Sequence, residues 1–91
     1  MRSIRFLDSD AVKFIHKLNS KQSKQVFTKV MDLAASSTPH DSIVMKNLGL
    51  HRATCGEYRI VYKFDDEFLD VVVIGNRNDR DVYKTLKRKI K

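Results

Sequence analysis

The chain has one cysteine, one proline and three glycines in 91 residues, and each scarcity closes off a class of protein. A lone thiol, Cys55, permits no internal disulfide. No spacing of cysteine with histidine suits zinc, so no metal is expected, and no cofactor is implied. Little proline and glycine leaves little room for linkers, and a chain this short cannot build two independent cores. A single domain over 1–91 follows. No apolar stretch is long enough to span a bilayer, and the opening MRSIRFLDSD lacks the apolar segment of a signal peptide. A cytoplasmic protein without a membrane partner is therefore expected. Acidic residues are also scarce, 11 against 18 Lys and Arg, for a net charge of +7. That balance favours polyanions or an acidic protein partner and says nothing about fold.

The charge is concentrated. Arg77, Arg80, Lys84, Lys87, Arg88, Lys89 and Lys91 face only Asp79 and Asp81 in the last fifteen residues. A solvated helix face accounts for such a run as readily as a binding surface does.

Hydrophobic periodicity divides the rest. SIRFL, residues 3–7, reads as a short strand, followed by Asp8 or Ser9 as a helix N-cap. Ala11, Phe14, Ile15 and Leu18 recur at helical spacing. Asn19 and Ser20 break and recap the chain before a second helix over about 21–36. Its stripe is Val26, Val30, Leu33 and Ala34, widened by Phe27 and Met31. SSTPHDS, residues 36–42, is a loop. Strands are predicted over 48–54, 58–63 and 68–74, with turns at Gly56-Glu57 and Asp65-Asp66-Glu67. Val82, Leu86 and Ile90 mark a short terminal helix beginning at Asp81. The order β-α-α-β-β-β-α predicts an α+β fold, a helical hairpin covering one face of a small antiparallel sheet.

In EYRIVY, alternation puts Tyr58, Ile60 and Tyr62 on one face and Arg59, Val61 and Lys63 on the other. An arginine in mid-sheet needs a partner, and Asp70 and Glu57 are candidates. Arg52 lies on the preceding strand and Arg77 ends the following one. If the three strands are neighbours, three guanidiniums converge on one face, and guanidinium binds phosphate bidentately. Tyr83 lies six residues after Arg77 and either packs on the sheet edge or presents its phenol to the same place. His51, beside Arg52, is either structural or a candidate acid or base. The acidic residues at 65–67 are explained by their turn.

LGLHRATCGEYRIVYKF, an acidic turn, an apolar strand and then GNRNDRDVY together resemble the RelE/ParE superfamily of bacterial toxins. The N-terminal strand and helical hairpin fit as well, so the resemblance covers essentially the whole chain. It implies the toxin of a toxin–antitoxin system, a metal-independent endoribonuclease that cuts mRNA in the A site of the 70S ribosome and inhibits translation. A cognate antitoxin, acidic and partly disordered when free, would hold it inactive in a hetero-oligomer. By position the resemblance gives Arg59, Arg77, Tyr83 and Arg52 catalytic roles. The neighbouring basic residues Arg80, Lys84, Lys87 and Arg88 become candidate contacts to RNA or ribosome. The pattern departs from RelE-like nucleases at Leu50 and Thr54, where a further basic residue is frequent. The base therefore stays open between His51, Arg52 and a ribosomal group. A gyrase-poisoning toxin of the ParE type, a non-catalytic RNA-binding module and an adaptor domain are the alternatives.

Overall fold

Asn19 decides where the helical hairpin bends. Its side-chain carbonyl accepts from the Gln22 backbone N–H at 2.9 Å and caps the second helix, a contact of a kind that contributes about 1 kcal/mol. The computed structural model describes residues 1–7, 9–36, 42–45 and 49–76. In chain order these form β1 (Ser3–Phe6), α1 (Ser9–Lys17), α2 (Ser20–Ala35), β2 (Ser42–Met45), β3 (Leu50–Cys55), β4 (Tyr58–Phe64) and β5 (Phe68–Asn76). Asp8 and the terminal helix read from Asp81 lie outside the described residues.

The fold is α+β, with two helices on one face of a five-stranded sheet ordered β1-β5-β4-β3-β2. Ala11 and Ile15 of α1 and Val26, Val30, Leu33 and Ala34 of α2 pack on Ala53, Cys55, Tyr58, Ile60, Tyr62, Leu69, Val71 and Ile74. Tyr58, Ile60 and Tyr62 thus take the helix side, as their alternation requires. Phe27 and Met31 do not widen the apolar stripe. They are about half exposed, and Phe27 makes only an edge contact with Phe6, at 6.4 Å between ring centres.

Two strands correct the sequence reading. The expected antiparallel sheet is mixed, because β1 joins β5 in parallel, with Ile4 opposite Leu69 and Phe6 opposite Val71. Ile4 and Phe6 pack against the same core as the helices, so burial rather than chain proximity selects this edge. β2 begins at the end of the predicted loop and pairs antiparallel with β3 over Leu50–Ala53. Ile43 and Val44 are both exposed, so this edge strand lacks the one-face burial that periodicity detects.

β4 and β5 pair with one irregularity. Val61 is opposite Val73 but Tyr62 is opposite Val71, so Val72 is an extra residue, a β-bulge. The pleat alternates with period two, and one inserted residue resets it. Leu69, Val71 and Ile74 therefore join the helix-side core. Val72 and Val73 both join Val61 and Leu50 in a second buried cluster. Such a strand reads as a continuous apolar run because it is buried on two faces.

Turns hold the strands in register. Asp65 Oδ1 accepts from the Phe68 N–H at 2.7 Å and the Glu67 N–H at 2.8 Å. These bonds, Phe68 first, hold the Asp65 carboxyl below its ordinary range, with smaller help from Arg5 and Arg2. At the β3–β4 turn Gly56 has φ +58°, and a side chain there would meet Gln25 Nε2 at 2.9 Å.

Gly56→Ala is expected to destabilise the fold by about 1–2 kcal/mol for the left-handed backbone, read as a lower urea midpoint with unchanged slope. Asp65 has a depressed folded pKa, so its contribution is present above the ordinary carboxylate range and lost as pH falls through the folded value. Asp65→Asn should therefore lower the melting temperature at neutral pH, and the gap from wild type should close in acid. A gap that persists unchanged at pH 2 would contradict the turn's charge dependence.

Candidate functional site

Neither α1 nor α2 packs on the second face of the sheet, where the basic strand residues project. Arg52 is opposite Val61, which is opposite Val73, and Thr54 is opposite Arg59, which is opposite Gly75. Cross-strand partners share a face, as do residues two apart along a strand. Arg52 and Arg59 are therefore diagonal neighbours on this second face, open in the sense that no described helix covers it, and lie roughly 7–8 Å apart at the backbone, within reach of a common phosphate. Both are half-buried. Val61, between them in the lattice of side chains, is fully buried, and arginine stems suit such an apolar floor. Gly75, across from Arg59, adds no side chain, so that flank of the guanidinium is not filled from β5.

Of the two carboxylates offered as partners for Arg59, Asp70 is engaged elsewhere. Asp70 is buried, and Arg5 holds it with two parallel bonds, Nε to Oδ1 at 2.6 Å and the terminal nitrogen to Oδ2 at 3.0 Å. Asp70 raises the Arg5 guanidinium above its ordinary range, chiefly through these hydrogen bonds. The same guanidinium lies 3.8 Å from the centre of the Phe68 ring. The parallel pairing of β1 places Arg5 opposite Asp70, with Lys63 on the other side. This neutralised group occupies one end of the open face, and Arg52 and Arg59 lie towards the other.

His51 is not brought to the arginines. It pairs with Tyr62, a helix-side residue, so its ring lies on the opposite face from Arg52. The imidazole stacks on Tyr62 at 5.5 Å and tilts against Phe64 at 4.8 Å. Its Nδ1 is shielded from solvent with no hydrogen-bond partner among the described residues. Arg2 continues this stack, 4.9 Å above the Phe64 ring, and donates from Nε to the Asp65 carbonyl. Sequence adjacency to Arg52 concealed this, since consecutive strand residues face opposite ways.

Arg77, Arg80, Tyr83, Lys84, Lys87 and Arg88 lie outside the described residues. β5 ends at Asn76, one residue before Arg77. Leu50 and Thr54 flank Arg52 on its own face, as alternation requires, and Leu50 belongs to the apolar cluster there. The role of Arg5 in holding Asp70 was missed, because nothing local to SIRFL signals a partner 65 residues away. Among the described residues no group of three or more acidic, histidine or cysteine side chains could hold a metal ion. No helix among them is long and apolar enough to cross a membrane.

No family model and no curated protein sequence matches the chain. Solved structures do. The chain is similar to toxin RelE of E. coli, a mutant in the free state, with TM-score 0.79 and 21% identity over 99% of this chain and 98% of that one. It is similar to a chain of the RelBE2 toxin–antitoxin complex from Mycobacterium tuberculosis, with TM-score 0.70 and 22% identity over 84% and 98%. A chain of the archaeal RelE–RelB complex from Pyrococcus horikoshii gives TM-score 0.72 and 20% identity over 85% and 96%. With the helical hairpin, the parallel first strand and the basic open face in place, the chain has the fold of the RelE-like toxins.

Proposed function

We propose that this chain is the toxin of a toxin–antitoxin pair and acts as a ribosome-dependent endoribonuclease on mRNA. The observation that carries the reading is the pairing of Arg52 and Arg59 on the open face of a RelE-like sheet, with the buried carboxylate of that face held by Arg5. Two guanidiniums side by side suit a phosphodiester whose negative charge grows during reaction.

In the proposed reaction the ribose 2′-oxygen attacks the adjacent phosphorus and the bond to the 5′-oxygen breaks. The 2′-hydroxyl proton leaves, a proton reaches the departing 5′-oxygen, and the products are a 2′,3′-cyclic phosphate and a 5′-hydroxyl. The route uses no metal. Arg52 and Arg59, joined by Arg77, take the charge that builds on the non-bridging oxygens. Tyr83 stacks on a base or protonates the leaving oxygen. Arg80, Lys84, Lys87 and Arg88 contact the RNA or ribosome backbone. His51 has a packing role, since its ring lies on the other face. Arg52 keeps its charge and cannot take the proton, so the base is a ribosomal group, and a site this sparse draws its substrate geometry from the ribosome.

The mycobacterial and archaeal neighbours are complexes with an antitoxin. A net charge of +7 suits an equivalent partner here, an acidic segment that is disordered when free and folds over the basic face. Both toxin and substrate would meet in the cytoplasm.

The test is primer extension on mRNA in a translating extract. Wild type should cut at codon boundaries only when ribosomes are present. Arg59→Ala should lower cleavage by at least ~10²-fold, the usual loss for one donor to a developing oxyanion. Inhibited translation with intact mRNA would overturn the nuclease and turn attention to gyrase. His51→Phe, which preserves a ring against Tyr62 and Phe64, should leave cleavage within a few-fold of wild type. A loss of about 10²–10⁴-fold, the size of a general acid–base contribution, would return His51 to the chemistry.

A further inference from the structure

β2 covers β3 only as far as Ala53, so Thr54, Cys55 and Gly56 form the rim of the described sheet. α2 runs beside this rim and leaves a cleft of about 490 Å³ lined by Lys21, Lys24, Thr28, Lys29, Asp32 and Thr54, with Gln25, Cys55 and Gly56 as its floor. A second cleft of about 440 Å³ shares Lys21, Gln25 and Gly56 and continues towards the helical bend. The floor is tied together: Cys55 Sγ donates to the Gln25 carbonyl at 3.5 Å, and the Gly56 turn lies directly against the end of the Gln25 side chain. Lys21 and Lys24 are exposed along one wall. From Lys21 to Lys29 the helix rises about 12 Å, room for two consecutive phosphates of an extended strand.

Thr54 belongs to both surfaces. It lines the cleft, and it is the register partner of Arg59 on the open face. Among the described residues the lysine wall therefore leads around the rim of β3 to the arginine pair without crossing the helix-covered core.

We propose that the cleft between α2 and the rim of β3 is a second RNA-backbone site, in which Lys21 and Lys24 hold phosphates of the RNA whose reacting phosphate lies at Arg52 and Arg59. The inference rests on the reading of the chain as an RNA-directed toxin. Its contacts are to phosphate only, so it adds affinity and orientation without sequence preference.

The experiment is fluorescence anisotropy with 2′-O-methyl RNA oligomers, which bind but cannot be cut, as single strands and as a hairpin duplex, titrated at several NaCl concentrations. Each lost phosphate contact lowers the slope of log K against log salt by about 0.7 for single strands. K21Q/K24Q should therefore lose about 1.4 of slope, equally for unrelated sequences. K21R/K24R should keep the slope. K13Q/K17Q removes the same charge from exposed residues of α1 that line neither cleft and should also keep it. Melting curves confirm that each variant is folded. A slope loss confined to the duplex would assign the cleft to structured RNA rather than to a single strand, and still supports a backbone site. Equal losses in the two Gln variants, or none in K21Q/K24Q while wild type binds, would overturn the cleft site and leave the arginine site standing. Unchanged RNA binding with lost binding of polyglutamate would overturn it in favour of an acidic protein partner. Wild type that binds no RNA would overturn this inference and leave the proposed function to the ribosome-dependent cleavage test.

Discussion

The extra residue in β5 governs which side chains can meet. Without Val72 as a bulge, the alternation of β5 would run unbroken from Leu69, and Ile74 would leave the helix-side core for the open face. The inserted residue keeps Ile74 under the helices and puts Val72 and Val73 together on the other side. It also sets Gly75 across from Arg59. A one-residue change of register in a sheet exchanges the two faces, so the open face owes both its apolar floor and the placing of Gly75 across from Arg59 to this single insertion. Bulges commonly re-aim side chains near functional sites, and here the re-aimed side chains flank the arginine pair.

Electrostatics on that face depend on an element from the far end of the chain. A buried aspartate in a basic sheet would pair with whichever cation lay nearest, and Lys63 is its neighbour on β4. The bidentate grip of Arg5, strengthened by stacking on Phe68, settles the competition. A flat fork matches a carboxylate better than an ammonium point charge does. The short parallel strand β1 thus does more than complete the sheet. It holds the one described carboxylate buried in this protein at the β1 end of that face, opposite Lys63 rather than Arg59.

Much of this was legible in the sequence, and the failures have physical causes. The helical hairpin, the strands β3 to β5 and the faces of Tyr58, Ile60 and Tyr62 follow from period, caps and turn residues, all of them local signals. That Arg52 and Arg59 share a face followed from alternation once β3 and β4 were taken as neighbours, while the third guanidinium expected there, Arg77, lies outside the described residues. β2 was not legible because Ile43 and Val44 are exposed on an edge and carry no burial pattern. The parallel pairing of β1 with β5 was not legible because it joins residues 65 apart, and no local property encodes it. Phe27 and Met31 misled because apolar character on a helix does not require burial. His51 misled for the opposite reason, since nearness in sequence suggested nearness in space, while a strand sends neighbours to opposite sides.

The same distinction bears on how a fold can persist at 20–22% identity with its structural neighbours. Core packing asks for apolar volume in the right alternation, which many sequences satisfy. A site for a phosphodiester asks for cations on one face with no carboxylate near enough to quench them, which is also a pattern rather than a fixed set of residues. Leu50 and Thr54, standing where the resemblance to RelE-like nucleases leads to the expectation of a further cation, fit that view. They leave β3 with one arginine on the open face, so more of the field and of the substrate alignment must come from outside the strand. On the proposed reading the ribosome supplies alignment, and the lysine wall of α2 supplies field from around the rim of β3. Both reduce what any single side chain on the sheet must do. On that reading the toxin would act only where its large partner has already ordered the RNA, which would confine a strongly basic small protein to one substrate among the many polyanions it meets.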